Sequence, residues 1–134
     1  MPREIENTCN GFQQTVSLHL IRHRSVLDVM TKYQDACSRV NRALAKAVTT
    51  CGCLKVTAGK QELPADASLS EMSEYVQTHL EGHLCPNCAE VIEEEMGKSI
   101  FFMAAICTLT GLDLAQVIHA ENDRISTLGF YSLT

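Results

Sequence analysis

"VLDVMTKYQDACSRVNRALAKAV", residues 26–48, decides the fold of this chain. Apolar side chains recur at Met30, Tyr33, Cys37, Val40, Leu44 and Val48, three and four residues apart, which is the period of a helix and not of a strand. Asp28, Lys32, Gln34, Arg39 and Lys46 fall on the other faces, so the segment reads as one amphipathic helix of about six turns. No Gly or Pro interrupts it, and it should end where Thr49 and Thr50 precede Gly52. A helix this long needs an apolar partner, and the rest of the chain supplies candidates.

Upstream, residues 1–14 are mostly polar and read as an N-terminal segment. "FQQTVSLHLIRHR" (12–24) suits a short separate helix or a continuation of the long one, although the alternation of Val16, Leu18 and Leu20 leaves a strand open. Downstream, 51–67 carries Gly52, Gly59 and Pro64 and reads as a linker between the long helix and an acidic one. Ser68 and Glu71 match a capping box that opens this next helix, with Leu69, Met72, Val76 and Leu80 along one face until "EGH" (81–83) breaks it. Cys85-Pro86 starts a third helix, proline being at home in a first turn. Ile92, Met96, Ile100, Met103, Ala104 and Cys107 carry it to Thr110, with Gly111 as its stop. Its second half is apolar all round and should be the most buried segment. Asp113 with Gln116 caps a fourth helix that runs to Gly129, and "FYSLT" is a tail. The expectation is one domain over 1–134, all-α, a bundle of four to five helices without internal repeats.

At 134 residues the chain is long enough for one core, and 46% hydrophobic composition is too apolar for disorder. A net charge of −5 argues against nucleic acid as a partner. The basic run "IRHRS" (21–25) reads as a solvated face, and His19, His23 and His119 as isolated surface or interhelix residues. No apolar run reaches the ~18 residues of a membrane helix, and the polar opening "MPREIENTCNGFQQ" lacks the pattern of a signal peptide. A cytoplasmic location is therefore expected, where thiols stay reduced.

That expectation bears on the seven cysteines. Cys37 and Cys107 fall at core-facing helical positions and read as small hydrophobes, while Cys9 lies in a polar stretch. The other four form two doublets, Cys51-Gly-Cys53 and Cys85-Pro-Asn-Cys88. A C-x-x-C at a helix start turns two sulfurs to one ion and lowers their pKa through the helix N-terminus. Gly52 lets the tighter doublet do the same. The expectation is a four-cysteine metal site at Cys51, Cys53, Cys85 and Cys88, holding zinc or, as the alternative, an iron–sulfur cluster. His79 and His83 are near enough in sequence for one to replace a sulfur. Four protein thiolates leave no open position for water or substrate, so such a metal clasps the fold and does no chemistry. Free thiols and a dithiol redox pair stay open as other readings, the redox pair without the βαβ setting that usually carries it.

A second constellation is acidic. Glu71 and Glu74 stand three apart on the expected second helix, and Glu93, Glu94 and Glu95 on the third. Carboxylates on adjacent helices can share Mg²⁺, a hard cation that keeps waters and phosphates in its shell. Glutamates on helix faces are equally ordinary solvated residues.

These strings resemble those of the MazG-like all-α nucleoside triphosphate pyrophosphohydrolases, which carry an E-x-x-E motif on one helix and an E-x-x-D motif on the next, within a string like E-E-x-G-D-x-x-F before an apolar helix. Here the chain reads Glu71-Met-Ser-Glu74 and then "EEMGKSIFF" (94–102), with Glu95-Met-Gly-Lys98 in the second frame. "AENDRI" (120–125) is similar to a phosphate-contacting Lys-Asn element, with Asn122 matching and Glu121 where lysine would stand. By helix order the likeness covers 26–126. It implies a dimeric bundle that binds nucleotides and releases pyrophosphate, with Mg²⁺ on Glu71, Glu74, Glu95 and a fourth acid. Lys98 stands where that acid belongs, bringing a cation where the metal needs an anion; it is spaced for a phosphate or for an ion pair with Glu94 four residues back. The cysteine doublets lie outside the family pattern. Three functions are carried forward: a MazG-like nucleotide-binding protein with impaired or altered hydrolysis, a non-catalytic zinc-clasped binding or regulatory module, and an iron–sulfur sensor.

Overall fold

A computed structural model describes residues 2–21 and 24–129. The chain is mainly helical: α1 spans Arg3–His19, α2 Val26–Lys46, α3 Met72–Tyr75, α4 Pro86–Thr110 and α5 Leu114–Leu128. Two short strands, β1 (Leu54–Val56) and β2 (Leu80–Gly82), complete it. Among the described residues no single helix is long and apolar enough to cross a membrane. Arg22 and His23 of the basic run and the "FYSLT" tail lie outside the described residues.

The centre of the fold is a helical hairpin of α2 against α4, with α1 packed on α4 and α5 on α1. The hairpin seam differs from the stripe that sequence predicts. Val29, Ala36 and Ala47 are buried, and Tyr33, Val40 and Ala43 are partly so, at alternating four- and three-residue steps. Met30 (54% exposed) and Leu44 (41%) face outward. Small alanines let two backbones approach closely, and α2 carries apolar residues on more than one face, so side-chain size points to the wrong face.

The main core gathers Val16 and Leu20 from the N-terminal region, Val29 of α2, Ala104, Ala105 and Cys107 of α4, and Leu114 of α5. Residues 3–19 are thus helical, including most of the polar 1–14 segment, and not an appendage. Burial also settles the strand alternative: Val16 is fully buried and Leu20 nearly so, while Leu18 is 73% exposed, an i, i+4 pattern. The second half of α4 is buried on one side only, with Ile100 and Met103 exposed.

Local chemistry sets the later boundaries as expected. Gly111 ends α4 in the left-handed region (φ 78), and the Asp113 carboxylate accepts from the Gln116 N–H at 3.2 Å to start α5. Gln13 fastens this corner from α1, donating to the Leu112 carbonyl at 2.9 Å and accepting from the Leu114 N–H at 2.8 Å.

The region 51–82 departs most from expectation. The linker contains β1, and the predicted helix from Ser68 to Leu80 is one turn, α3; Leu80 belongs to β2. Glu71 does accept from the Ser68 N–H, at 3.4 Å, so half of the capping box forms. The turn after it buries none of its residues, leaving the helix without a packed face to sustain it. β1 and β2 pair antiparallel, Leu54 opposite Gly82, Lys55 opposite Glu81 and Val56 opposite Leu80. The Lys55–Glu81 pair puts opposite charges face to face. Between the strands, Gln61 clips the loop by donating to the Gln77 carbonyl and accepting from its N–H, both at 2.8 Å.

Candidate metal centre

The strand pair brings the two cysteine doublets together. Cys51 and Cys53 lie just before β1, Cys85 and Cys88 just after β2. At the end of α2 the last turn widens into a π turn, Ala47–Cys51, in which the Gly52 N–H donates to the Ala47 carbonyl at 2.9 Å. Such widened turns add a residue to the helical circuit and recur at functional sites. Gly52 follows at φ 80, the left-handed geometry that reverses the chain into Cys53.

Gly82 holds the other side. Its φ is 86, and a Cβ there would lie 2.5 Å from the Cys53 carbonyl oxygen, so only glycine lets β2 come this close. From β2 the chain passes through His83 and Leu84 to Cys85, the N-cap of α4, whose sulfur accepts from the Cys88 N–H at 3.4 Å. Pro86 takes the first position of the helix.

The four sulfurs all lie within 4.8 Å of one another, and Cys51 Sγ is 3.8 Å from Cys85 Sγ. A zinc–sulfur bond of about 2.3 Å in tetrahedral geometry sets sulfurs about 3.8 Å apart, so the cluster has the dimensions to hold one metal ion. All four cysteines are free thiols, at far more than the ~2.05 Å of a disulfide. A second small core of Ala47, Leu54 and Ile92 lies against Cys53 and Cys88.

The electrostatics match the crowding. The Cys88 N–H, then the Cys88 thiol, hold Cys85 down at about 7. Cys88 is pushed up to about 12, chiefly by its hydrogen bond to Cys85, then by burial and by Cys53 and Cys51. One thiol ionises readily, and without a cation the next resists.

The two histidines stand apart from this cluster. His79, at the unusual φ of 60, sits before β2 with its Nε2 3.4 Å from Gln61 Nε2. His83 is exposed between β2 and Cys85. Among the described residues, the group within ligand distance is the four cysteines.

The acidic constellation is arranged differently. Glu71 and Glu74 are exposed on and beside α3, which makes no substantial contact with α2 or α4. Glu95 lies on the side of α4 that faces α2, its side chain only 16% exposed, and its neighbour across the hairpin is Arg39. Lys98 pairs with Glu95 at 3.5 Å rather than with Glu94. The other Glu95 oxygen is buried without a hydrogen-bond partner among the described residues. Asn122 is exposed on α5, where Arg124 pairs with Glu121.

Fold and cluster define the class: a helical domain whose central hairpin is closed at one end by four convergent thiols. Comparison with protein-family models, with curated proteins and with solved structures gives no match. Sequence reasoning found all four cysteines but not the β pairing that joins them. Three-residue strands separated by the loop 57–79 give too short a pattern to register, and only the glycine next to His83 signals the close approach.

Proposed function

We propose that this chain is a metal-clasped helical binding module in which Cys51, Cys53, Cys85 and Cys88 hold one zinc ion as a structural element. The observation that carries this is the sulfur spacing, with 3.8 Å between Cys51 and Cys85. It suits a single ion better than a cluster, which spreads its thiolates over several irons. The ion would join the end of α2, β1 and the start of α4, and its binding energy becomes folding energy for this end of the hairpin. The main core around Val16 and Val29 involves none of these ligands. Elemental analysis of freshly purified protein should find one zinc per chain. Chelation should lower the denaturation midpoint and expose the β1 and β2 amides to hydrogen exchange while most helical signal remains. Protein that carries no metal, or an unchanged midpoint after chelation, overturns the reading; bound iron with visible absorbance replaces it with the iron–sulfur alternative.

A second reading, that of a MazG-like nucleotide pyrophosphohydrolase, is favoured by the mostly buried Glu95, one of whose oxygens has no partner among the described residues. It carries Mg²⁺ and a homodimer with it, and the exposed Leu27, Met30 and Leu44 on α2 would suit a second copy. Lys98 on Glu95's carboxylate and the lack of substantial contact between α3 and the hairpin weigh against hydrolysis. Mg²⁺-dependent pyrophosphate release from any of a panel of nucleoside triphosphates, lost in Glu95→Ala, would establish it; no release across the panel rejects it.

A further inference from the structure

The chain is acidic overall, yet one face of the hairpin gathers cations. Two adjoining clefts run along the α2–α4 seam and share Arg39. The first, about 250 Å³, is lined by Arg39, Arg42, Ala43, Lys46, Val91 and Glu95. The second, about 230 Å³, is lined by Lys32, Asp35, Ala36, Arg39, Lys98 and Phe102. Together they present five cationic side chains against two carboxylates.

Each carboxylate already has one cation beside it. Asp35 accepts from Arg39 Nε at 2.9 Å, and Glu95 pairs with Lys98. Lys32, Arg42 and Lys46 have no ion-pair partner among the described residues. Arg39, Arg42 and Lys46 follow one another at i, i+3 and i+7, so they share one face over about 10 Å of helix.

We propose that this furrow is an anion site for a short phosphate chain, bound directly by Arg39, Arg42 and Lys46 without a divalent metal. Guanidinium groups grip phosphate oxygens in pairs, and a lysine adds a mobile charge. The size selects the ligand. A duplex carries a charge every ~1.7 Å and extends far beyond this face, onto a chain whose net charge is −5. A di- or triphosphate ends within the furrow. The inference rests on neither the thiolate cluster nor hydrolysis.

The test is calorimetric titration of the full, metal-loaded chain with inorganic tripolyphosphate, at low salt and without added Mg²⁺. Saturable binding at one site is expected, weakening as salt rises. Arg42→Gln with Lys46→Gln should raise Kd by about tenfold or more, whereas Lys60→Gln, in the exposed loop, should change it less than about twofold. Arg42 and Lys46 are exposed, and unchanged metal content and helicity in the double variant separate a lost anion site from a lost clasp. No binding, an equal loss in Lys60→Gln, or tighter binding of a single-stranded oligonucleotide than of tripolyphosphate overturns the proposal.

Discussion

Replacing Gly82 with alanine tests whether close approach of β2 to Cys53 builds the thiolate cluster. The left-handed φ of 86 costs an L-residue about 1–2 kcal/mol. The new methyl would also meet the Cys53 carbonyl oxygen at 2.5 Å, with Leu54 Cα at 3.8 Å behind it. Relief requires the strands to part, sacrificing a hydrogen bond or two of the pairing at about 0.5–1.5 kcal/mol each. The total is about 1.5–5 kcal/mol. Gly111 supplies the comparison: φ is 78, but nothing lies within 4 Å of its would-be Cβ, so Gly111→Ala should cost only the backbone term, about 1–2 kcal/mol. Urea denaturation of both variants measures stability, and competition with a zinc chelator measures metal affinity. Gly82→Ala should lose on both counts, its metal affinity falling about tenfold or more, and Gly111→Ala on stability alone. If Gly82→Ala is no worse than Gly111→Ala in either assay, the contact with Cys53 does not hold the site together.

The two cores should respond separately. Ala104 is fully buried among Val16, Val29 and Leu114, so Ala104→Leu should overpack that core and destabilise by about 1–3 kcal/mol in urea while leaving metal content unchanged. Gln13→Ala removes both the donor to Leu112 and the acceptor for the Leu114 N–H, and should cost about 1–2 kcal/mol. Faster hydrogen exchange at the Leu114 amide would confirm the origin of that loss.

Local signals were legible wherever one residue fixes one backbone group. Gly111, Asp113 and Pro86 mark their helix ends because a left-handed φ, a cap and a missing N–H are each decided within a few residues. The thiol cluster was legible in the same way, from doublets at helix ends. What lay hidden depends on partners distant in sequence. The seam of α2 follows Ala36 and Ala47 rather than Met30 and Leu44, because closeness to α4 favours small side chains that hydropathy ranks low. Ser68 and Glu71 form part of a cap, yet α3 stops after one turn because no face of it is covered. The furrow was hidden for the same reason: Arg39 and Lys46 read only as polar faces of an amphipathic helix until Glu95 and Lys98 are set opposite them.

The Gln61–Gln77 clip and the β1–β2 pairing give the segment 57–79 a consequence of its own. With its neck fixed by hydrogen bonds and thiols, this stretch is tethered at a single point and bears no weight in either core. Doubling the length of such a loop costs only about 0.6 kcal/mol in closure entropy. It is the place where this chain tolerates growth, and a reporter peptide or an added recognition segment grafted at Ala65-Asp66 would leave the helices below undisturbed.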